Sequence, residues 1–385
     1  MVHVSTSNLG QAAALGARAA TTLTDGLAAR GVAPARAVGA SAADIAPHIA
    51  GSEFLRDGRF ANLEPPAPIN GNPAGAVGDM IRRPGRPRRP IMVTKPDFTE
   101  EARDLAVTWL GHATALVEID GSRVLTDPVF SRRCSPSQLV GPGRMHPMPC
   151  SIADLPQLDV VLISHDHYDH LDMSSVIELS RVQPDAIFVA PIGVGAHLLS
   201  WGIPAEQIRQ TDWHGEIQVA AAGGTLTFTA TPARHFSGRG LQRNLTQWVS
   251  WAIAGKTHRV FFSGDTGFTD RYADVGARLG PFHLTLIAIG AYDVLWPDIH
   301  VNPEEAVQIH RMLTSDLGSD AVLLPIHWGT FNLARHKWGD PMARVLTSAA
   351  THSATVVTPA PGADIDLISR TGSGTVRPDW WEHSA

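Results

Sequence analysis

The sequence predicts a layered α/β fold preceded by an irregular N-terminal extension, and three observations carry that expectation. Short apolar or β-branched runs recur from residue 104 onward, among them "LDVVLISH", "GTLTFTATPARH", "TQWVSWAIAG", "HRVFFSGD" and "AVLLPIHWG". Helical patterns sit between these runs, and strands interleaved with helices indicate stacked layers. The first hundred residues share neither texture. Across the 385 residues, 44% are apolar, 18% are charged, and Gly and Pro number 35 and 28. That mixture suits a loop-rich globular protein able to build a sizeable core.

Taken in chain order, residues 1–50 are Ala-rich ("GQAAALGARAATTLTDGLAARG") and suited to one or two helices. Their apolar face is thin, so a loosely attached extension is expected. An amphipathic helix touching a membrane is the alternative, with few basic residues to support it. Residues 51–103 are Pro-rich, lack periodicity and read as a segment wrapping the domain. Within them "IRRPGRPRRP" (81–90) carries five arginines. It reads either as a solvated polyproline-like stretch or as a cationic patch facing anionic headgroups or phosphate. Residues 104–385 form the main domain. Its first stretch, "LAVTWLGHATALVEIDGSRVLTDP", predicts two or three strands turning at Asp120-Gly121. The clearest helix is "NPEEAVQIHRML", with Asn302 as N-cap, Pro303 at N1 and Glu305 at N3.

Composition also excludes. A formal net charge of −6 argues against nucleic acid as the main partner. The two cysteines, Cys134 and Cys150, form no Cys-x-x-Cys, so any zinc is expected on His and Asp. Two free thiols in a reducing compartment are expected, with a single Cys134–Cys150 bridge left open. No run of ~18 apolar residues predicts a membrane-spanning helix. "MVHVSTSNLG" lacks the basic and apolar regions of a secretory signal, so a cytoplasmic location is expected. The 18 histidines raise a metal hypothesis before any motif is considered.

That hypothesis is sharpened by "SHDHYDHLD" (164–172). An apolar strand ends at Ile163, and His165, His167, Asp169 and His170 follow. A loop leaving a buried strand can aim alternate side chains at one point, so His165 and His167 could face one metal, Asp169 and His170 a second. Four ligands are too few for two tetrahedral sites that keep an open position. Three further β-runs end in His235, Asp265 and His327. Burying seven such groups without a cation would be costly. Zinc suits the N/O donor set; iron and manganese also accept it.

With these residues in order, the sequence resembles the metallo-β-lactamase fold superfamily, whose H-x-H-x-D-H motif "SHDHYDHLD" matches without gaps. The resemblance implies an αββα sandwich with two zinc ions at one edge. It implies His165, His167 and His235 on the first metal, Asp169, His170 and His327 on the second, and Asp265 bridging. It implies that Asp127, in "TDP", buttresses the histidine loop. "WLGHATALVEIDG", "LTDPVFSRRCSPSQLVGPGR", "FFSGDTGF", "IGAYD", "HVNPEEAVQIH" and "IHWGTFNLA" are more closely similar to the N-acyl phosphatidylethanolamine-hydrolysing phospholipases D, over roughly residues 105–335. Leu139 departs from that pattern, standing where the animal enzymes carry an aromatic residue.

This closer resemblance implies a zinc phosphodiesterase that releases N-acylethanolamine and phosphatidic acid, with a hydroxide between the metals attacking phosphorus. Asp265 and His300 are the expected catalytic residues, and His300 and Gln138 the expected substrate contacts. His112 and Asp172 are expected to support the ligands from behind. Asp166 is expected to turn away from the metals as a supporting or loop hydrogen-bond partner, Tyr168 to pack, and His336 to be a rim or surface residue. An apolar approach for lipid is expected from "LWPDI" (295–299), the stretches around Trp201, Trp213 and Trp338, and "CSPSQLVGP". A phospholipid is the expected partner, with peripheral membrane contact and a homodimer left open. The alternatives are a lactonase acting on a small cyclic ester and a zinc-binding scaffold without turnover.

Overall fold

A computed structural model describes residues 34–66, 85–315, 317–373 and 379–384. Most of the Ala-rich stretch, residues 1–33, and residues 81–84 of the arginine-rich stretch lie outside the described residues.

Two seven-stranded sheets stack face to face. The first is built from β1 (Leu105–Gly111), β2 (Thr114–Ile119), β3 (Ser122–Thr126), β4 (Val160–Leu162), β5 (Ile187–Pro191), β6 (Ile208–Thr211) and β14 (Asp364–Asp366), in the order β14-β1-β2-β3-β4-β5-β6. The second takes β7 (Glu216–Ala221), β8 (Gly224–Pro232), β9 (Val249–Ala254), β10 (Arg259–Phe262), β11 (Leu284–Ala288), β12 (Val322–Ile326) and β13 (Thr355–Val356), in the order β13-β12-β11-β10-β9-β8-β7. Each sheet is antiparallel in one part and parallel in the other. β3, β4, β5 and β6 run parallel, as do β10, β11, β12 and β13. Parallel strands end at the same edge, and this is why strand-end residues far apart in sequence meet there.

The pleat explains the layering. Side chains alternate along a strand, so Val160 and Leu162 face the core between the sheets while Val161 faces the outer layer. On that outer face Leu125, Val161 and Phe188 pack with Val176 and Leu179 of α3 (Met173–Val182) and Leu198 of α4 (Val194–Ser200). The second sheet is covered by α5 (Arg271–Leu279), α6 (Pro303–Leu313) and α7 (Asp340–His352), which bury Tyr272, Val307 and Val345 in the large core. The architecture is the expected αββα sandwich. Asn302 caps α6 as its sequence predicts, in a reciprocal pair with Glu305. The hairpin turn falls at Asp120 (φ +47°) and Gly121 (φ +77°), the left-handed pair that a tight two-residue turn requires.

Two expectations change, and the expected free thiols stand. Residues 34–50 are not loosely attached. Their two helices, α1 (Pro34–Val38) and α2 (Ala42–Ile49), bury Ile45 and Ile49 in the main core, and Phe60 follows them in. The apolar face is thin, but the sandwich supplies a groove that fits it. Trp201, Trp213 and Trp338 are all buried and do not line an approach for lipid; the indole N–H of Trp213 donates to Trp248 O. Cys134 and Cys150 are both buried and free.

Candidate metal centre

The chain reaches the metal edge at the C-terminal ends of its strands. His165 lies three residues beyond β4, His235 three beyond β8, Asp265 three beyond β10, and His327 directly after β12. The core props this edge from beneath. Trp251 of β9 donates its indole N–H to Ile163 O (2.8 Å), and Val249 N donates to Ser164 O (3.1 Å). The second sheet thereby fixes the start of the histidine loop. At Gly264 (φ +53°) an added Cβ would lie 2.5 Å from Ser164 Cβ, so the approach of the two loops needs a glycine.

Two four-membered groups of donor atoms lie within 4.8 Å of one another, His165, His167, His235 and Asp265, and His112, Asp169, His170 and His327, and smaller sets, Asp127 with His165 and His170 and Asp265 with His300 and His327, overlap them. In the first, His165 Nε2 and His235 Nε2 stand 2.9 and 3.2 Å from His167 Nδ1. His235 Nδ1 donates to Ile299 O (2.8 Å), so its Nε2 presents a lone pair to the group. One proton can serve a single nitrogen pair; a cation serves all three. In the second, Asp169 Oδ2 lies 3.0 Å from His112 Nε2, 3.3 Å from His327 Nε2 and 3.6 Å from His170 Nε2. Asp265 stands between the groups. Its Oδ2 is 3.1 Å from His170 Nε2 and 3.6 Å from His235 Nε2, and its Oδ1 is 3.2 Å from His327 Nε2.

Asp127 takes the buttress position. It accepts from Ser164 N (2.7 Å), Ser164 Oγ (2.5 Å) and His170 Nδ1 (2.6 Å). Since His170 Nδ1 carries the donated hydrogen, its Nε2 lone pair faces the carboxylates of Asp265 and Asp169. Lone pair against carboxylate calls for a positive charge between them. Protonation answers it partly here: burial pushes His170 down, but Asp265 and Asp169 outweigh it and hold its pKa well above the usual value. Burial likewise pushes Asp265 up, and His170, His327 and His300 override it to hold the carboxyl well below the ordinary range. For His165 and His235 burial dominates and the pKa falls well below normal, which keeps both imidazoles neutral and able to ligate. His167 Nε2, His170 Nε2, Asp265 Oδ1, His300 Nδ1 and His327 Nδ1 are buried with no hydrogen-bond partner. Ring nitrogens and a carboxylate oxygen are thus left unmatched inside a buried cluster, and the residues present fit a metal pair.

The supporting residues divide differently from the expectation. His112 stands in the second group itself. Its φ is +55° and that of His327 +62°. The two residues join the sheets, with His327 N donating to His112 O (3.0 Å) and Thr330 Oγ1 accepting from His112 N (2.7 Å). Asp172 does not orient an imidazole. It caps α3, accepting from Ser175 N (3.1 Å), from Ser175 Oγ and from Ser131 Oγ (2.7 Å). Gln138 is turned inward, accepting from Arg133 N (3.0 Å) and donating to Arg133 O (2.9 Å), which closes its own loop instead of presenting the amide to a ligand. His300 lies between the rings of His235 and His327, 5.2 Å from each. Burial outweighs Asp265 and lowers its pKa to about 4. Asp166 points away from the imidazoles of the first group, as alternation requires. Tyr168 donates its hydroxyl to Arg239 O (2.6 Å). His336 stacks on Tyr292 and accepts from Ala291 N (3.1 Å). Sequence reasoning missed Asn62, His197 and Arg239, which hold the loops of the first group and carry no motif.

The description "Beta-lactamase superfamily domain" matches residues 122–328, more than half of the 385-residue chain, and the chain belongs to that family. An uncharacterized protein of Mycobacterium tuberculosis is 49% identical over 351 residues, 90% of this chain and 91% of its own length. The N-acyl-phosphatidylethanolamine-hydrolyzing phospholipase D 1 of Caenorhabditis elegans is 38% identical over 246 residues, 62% of this chain and 67% of its own. Among solved structures, Igni18, a metallo hydrolase of Ignicoccus hospitalis, superposes with a TM-score of 0.52 at 23% identity, covering 68% of this chain and 97% of its own. Family and fold are those of metal-dependent hydrolases.

Proposed function

We propose that the protein is a dinuclear zinc phosphodiesterase that hydrolyses N-acyl phosphatidylethanolamine or a related phospholipid. The observation that carries this reading is the placement of Asp265 between two histidine-rich groups whose nitrogens and carboxylate oxygens crowd within 4.8 Å of one another. The similarity to the nematode phospholipase D supports the choice of substrate. His165, His167 and His235 would hold one zinc, Asp169, His170 and His327 the other, and Asp265 would touch both. When bound, the pair supplies Lewis acidity and lowers the pKa of a water toward ~7.

The chain's own residues do the rest. Asp127 fixes His170 by its Nδ1–H and leaves Nε2 for ligation. His300 is neutral at pH 7 and its Nδ1 has no internal partner. It would donate to a nonbridging phosphate oxygen as charge develops there. Three loops leading from the centre carry exposed apolar side chains: Leu139 and Val140 (73% and 66% exposed), Leu241 (fully exposed) and Val294 (63% exposed). These tips suit acyl chains at a bilayer surface, and no described helix is long and apolar enough to cross one.

The test is incubation of zinc-loaded protein with a phospholipid panel. Release of N-acylethanolamine from N-acyl phosphatidylethanolamine is expected. Cleavage of lactones alone, or stoichiometric zinc with no hydrolysis of any ester, overturns the assignment.

A further inference from the structure

The two halves of the centre are supported from different parts of the chain. The imidazoles of the first group come from two loops, 163–172 and 233–247. Both are gripped by residues 34–62, a segment outside the sandwich. Asn62 lies against His235 and pairs with its backbone twice: Nδ2 donates to His235 O (2.9 Å) and Oδ1 accepts from His235 N (3.0 Å). The same Oδ1 accepts from Trp248 Nε1 (3.0 Å), which locks the amide's orientation. One side chain thus does for His235 what a neighbouring strand would do.

The other loop is held through a buried relay. His197 Nδ1 accepts from Ala40 N (3.0 Å), which places the ring hydrogen on Nε2, 3.3 Å from Asp166 Oδ2. Asp166, the residue between His165 and His167, also accepts from Gly238 N (2.7 Å) and Thr246 Oγ1 (2.9 Å). Arg239 donates from Nε and Nη2 to Ala37 O (3.0 and 2.8 Å), and from Nη1 to Asp166 O (2.6 Å) and Leu171 O (2.7 Å). Gly39, at φ +85°, is where this contact becomes closest. An added Cβ would lie 2.3 Å from His197 Nδ1. The second group shares the Arg239 grip at Leu171, but its other supports lie within the sandwich: Asp127 on His170, Thr330 on the backbone of His112, and His112 on Asp169 and His327.

We propose that residues 34–62 are a positioning clamp that acts mainly on the first metal site, with Asn62 setting His235 and the Ala40–His197–Asp166 relay setting His165 and His167. The inference rests on the metal-centre reading above. None of these side chains belongs to the donor groups themselves. They fix where three nitrogens converge, and outer partners of ligands typically govern metal affinity by about 10- to 100-fold.

The experiment compares the unaltered protein with Asn62→Ala, His197→Ala and Thr330→Val. Zinc affinity is read by competition with a chromophoric chelator, and folding by circular dichroism. The expected result is that Asn62→Ala and His197→Ala each weaken one of two zinc equivalents by roughly 10- to 100-fold while the other changes less than about twofold. Thr330→Val is expected to weaken the other equivalent. Asn62→Asp keeps the acceptor for His235 N and replaces Asn62→Ala if that variant does not fold. Its single weakened equivalent supports the clamp. Loss of both equivalents together, or of neither, in folded Asn62 and His197 variants overturns the inference and leaves the metal-centre reading standing. An unaltered protein that takes up no zinc overturns both.

Discussion

The two ends of the sandwich solve the same problem in opposite ways. At each end the sheets are joined through Asp and His. At the end away from the metal edge, Asp120 in the β2–β3 turn meets the β9–β10 turn. Its Oδ2 accepts from Thr257 N (2.7 Å) and His258 N (3.0 Å), and its Oδ1 from His258 Nδ1 (2.6 Å). Those carboxylate contacts are internal, and the cluster is a latch. At the metal edge, six imidazole and carboxylate atoms are buried and unmatched, one each on His112, His167, His170, Asp265, His300 and His327. A self-satisfied polar cluster stabilises the fold; one that holds its valence open is arranged around something else.

The largest effect that sharpens this contrast comes from Asp265→Ala. Hydrolysis should fall by on the order of 10³-fold or more, the scale of losing a principal electrostatic group, with at least one zinc equivalent lost. Metal analysis and phospholipid turnover check it, and a variant retaining both zincs and activity removes Asp265 from the centre. His300→Ala should lower kcat by about 10²-fold with zinc content unchanged. Loss of zinc in that variant would make His300 a ligand instead. Removing metal with a chelator should lower the melting temperature. A ligand at 100 times its Kd contributes about 2.7 kcal/mol, so the shift should amount to several degrees, restored by added zinc. An unchanged melting curve would show that the metal edge, like the far end, is complete without a metal.

The smallest effect belongs to the far end. Asp120→Asn should cost about 1.5–3 kcal/mol in urea unfolding, the range for hydrogen bonds to a charged group, with kcat unchanged. Burial raises the pKa of Asp120, but the hydrogen bonds from Thr257 and His258 outweigh it and the folded value lies below normal. A depressed pKa gives stabilisation that is full above the unfolded value of ~3.9 and is lost as pH falls through the folded one. The two proteins should therefore converge in stability in acid. A constant difference down to pH 2 would break the latch interpretation.

What could be read from the sequence had a local cause. The Asp120-Gly121 turn needs two left-handed residues, the α6 cap needs Asn302 and Glu305 three apart, and parallel strands deliver their last residues to one edge. His165, His167, Asp169, His170, His235, Asp265 and His327 were legible for that third reason. Asp172 caps α3 instead of orienting an imidazole, because a helix starts directly after it and a carboxylate at an N-cap is taken by the backbone N–H groups there. A short polar loop does not reveal whether the Gln138 amide turns outward or closes on itself. Indoles suit a lipid approach and a core equally by composition, and the core buries those of Trp201, Trp213 and Trp338.

The sequence by itself determined the layered fold, its turns and caps, and the order of the strand-end histidines and aspartates, because these depend on residue type and on spacings of a few positions. Only the tertiary structure decided that His112 joins the second group, and that Asn62 and Ala40 reach over to set the first. Asn62 is 173 positions from His235, and Ala40 is 157 from His197. Contacts at such separations follow from how whole layers pack, and no local pattern of residues encodes them.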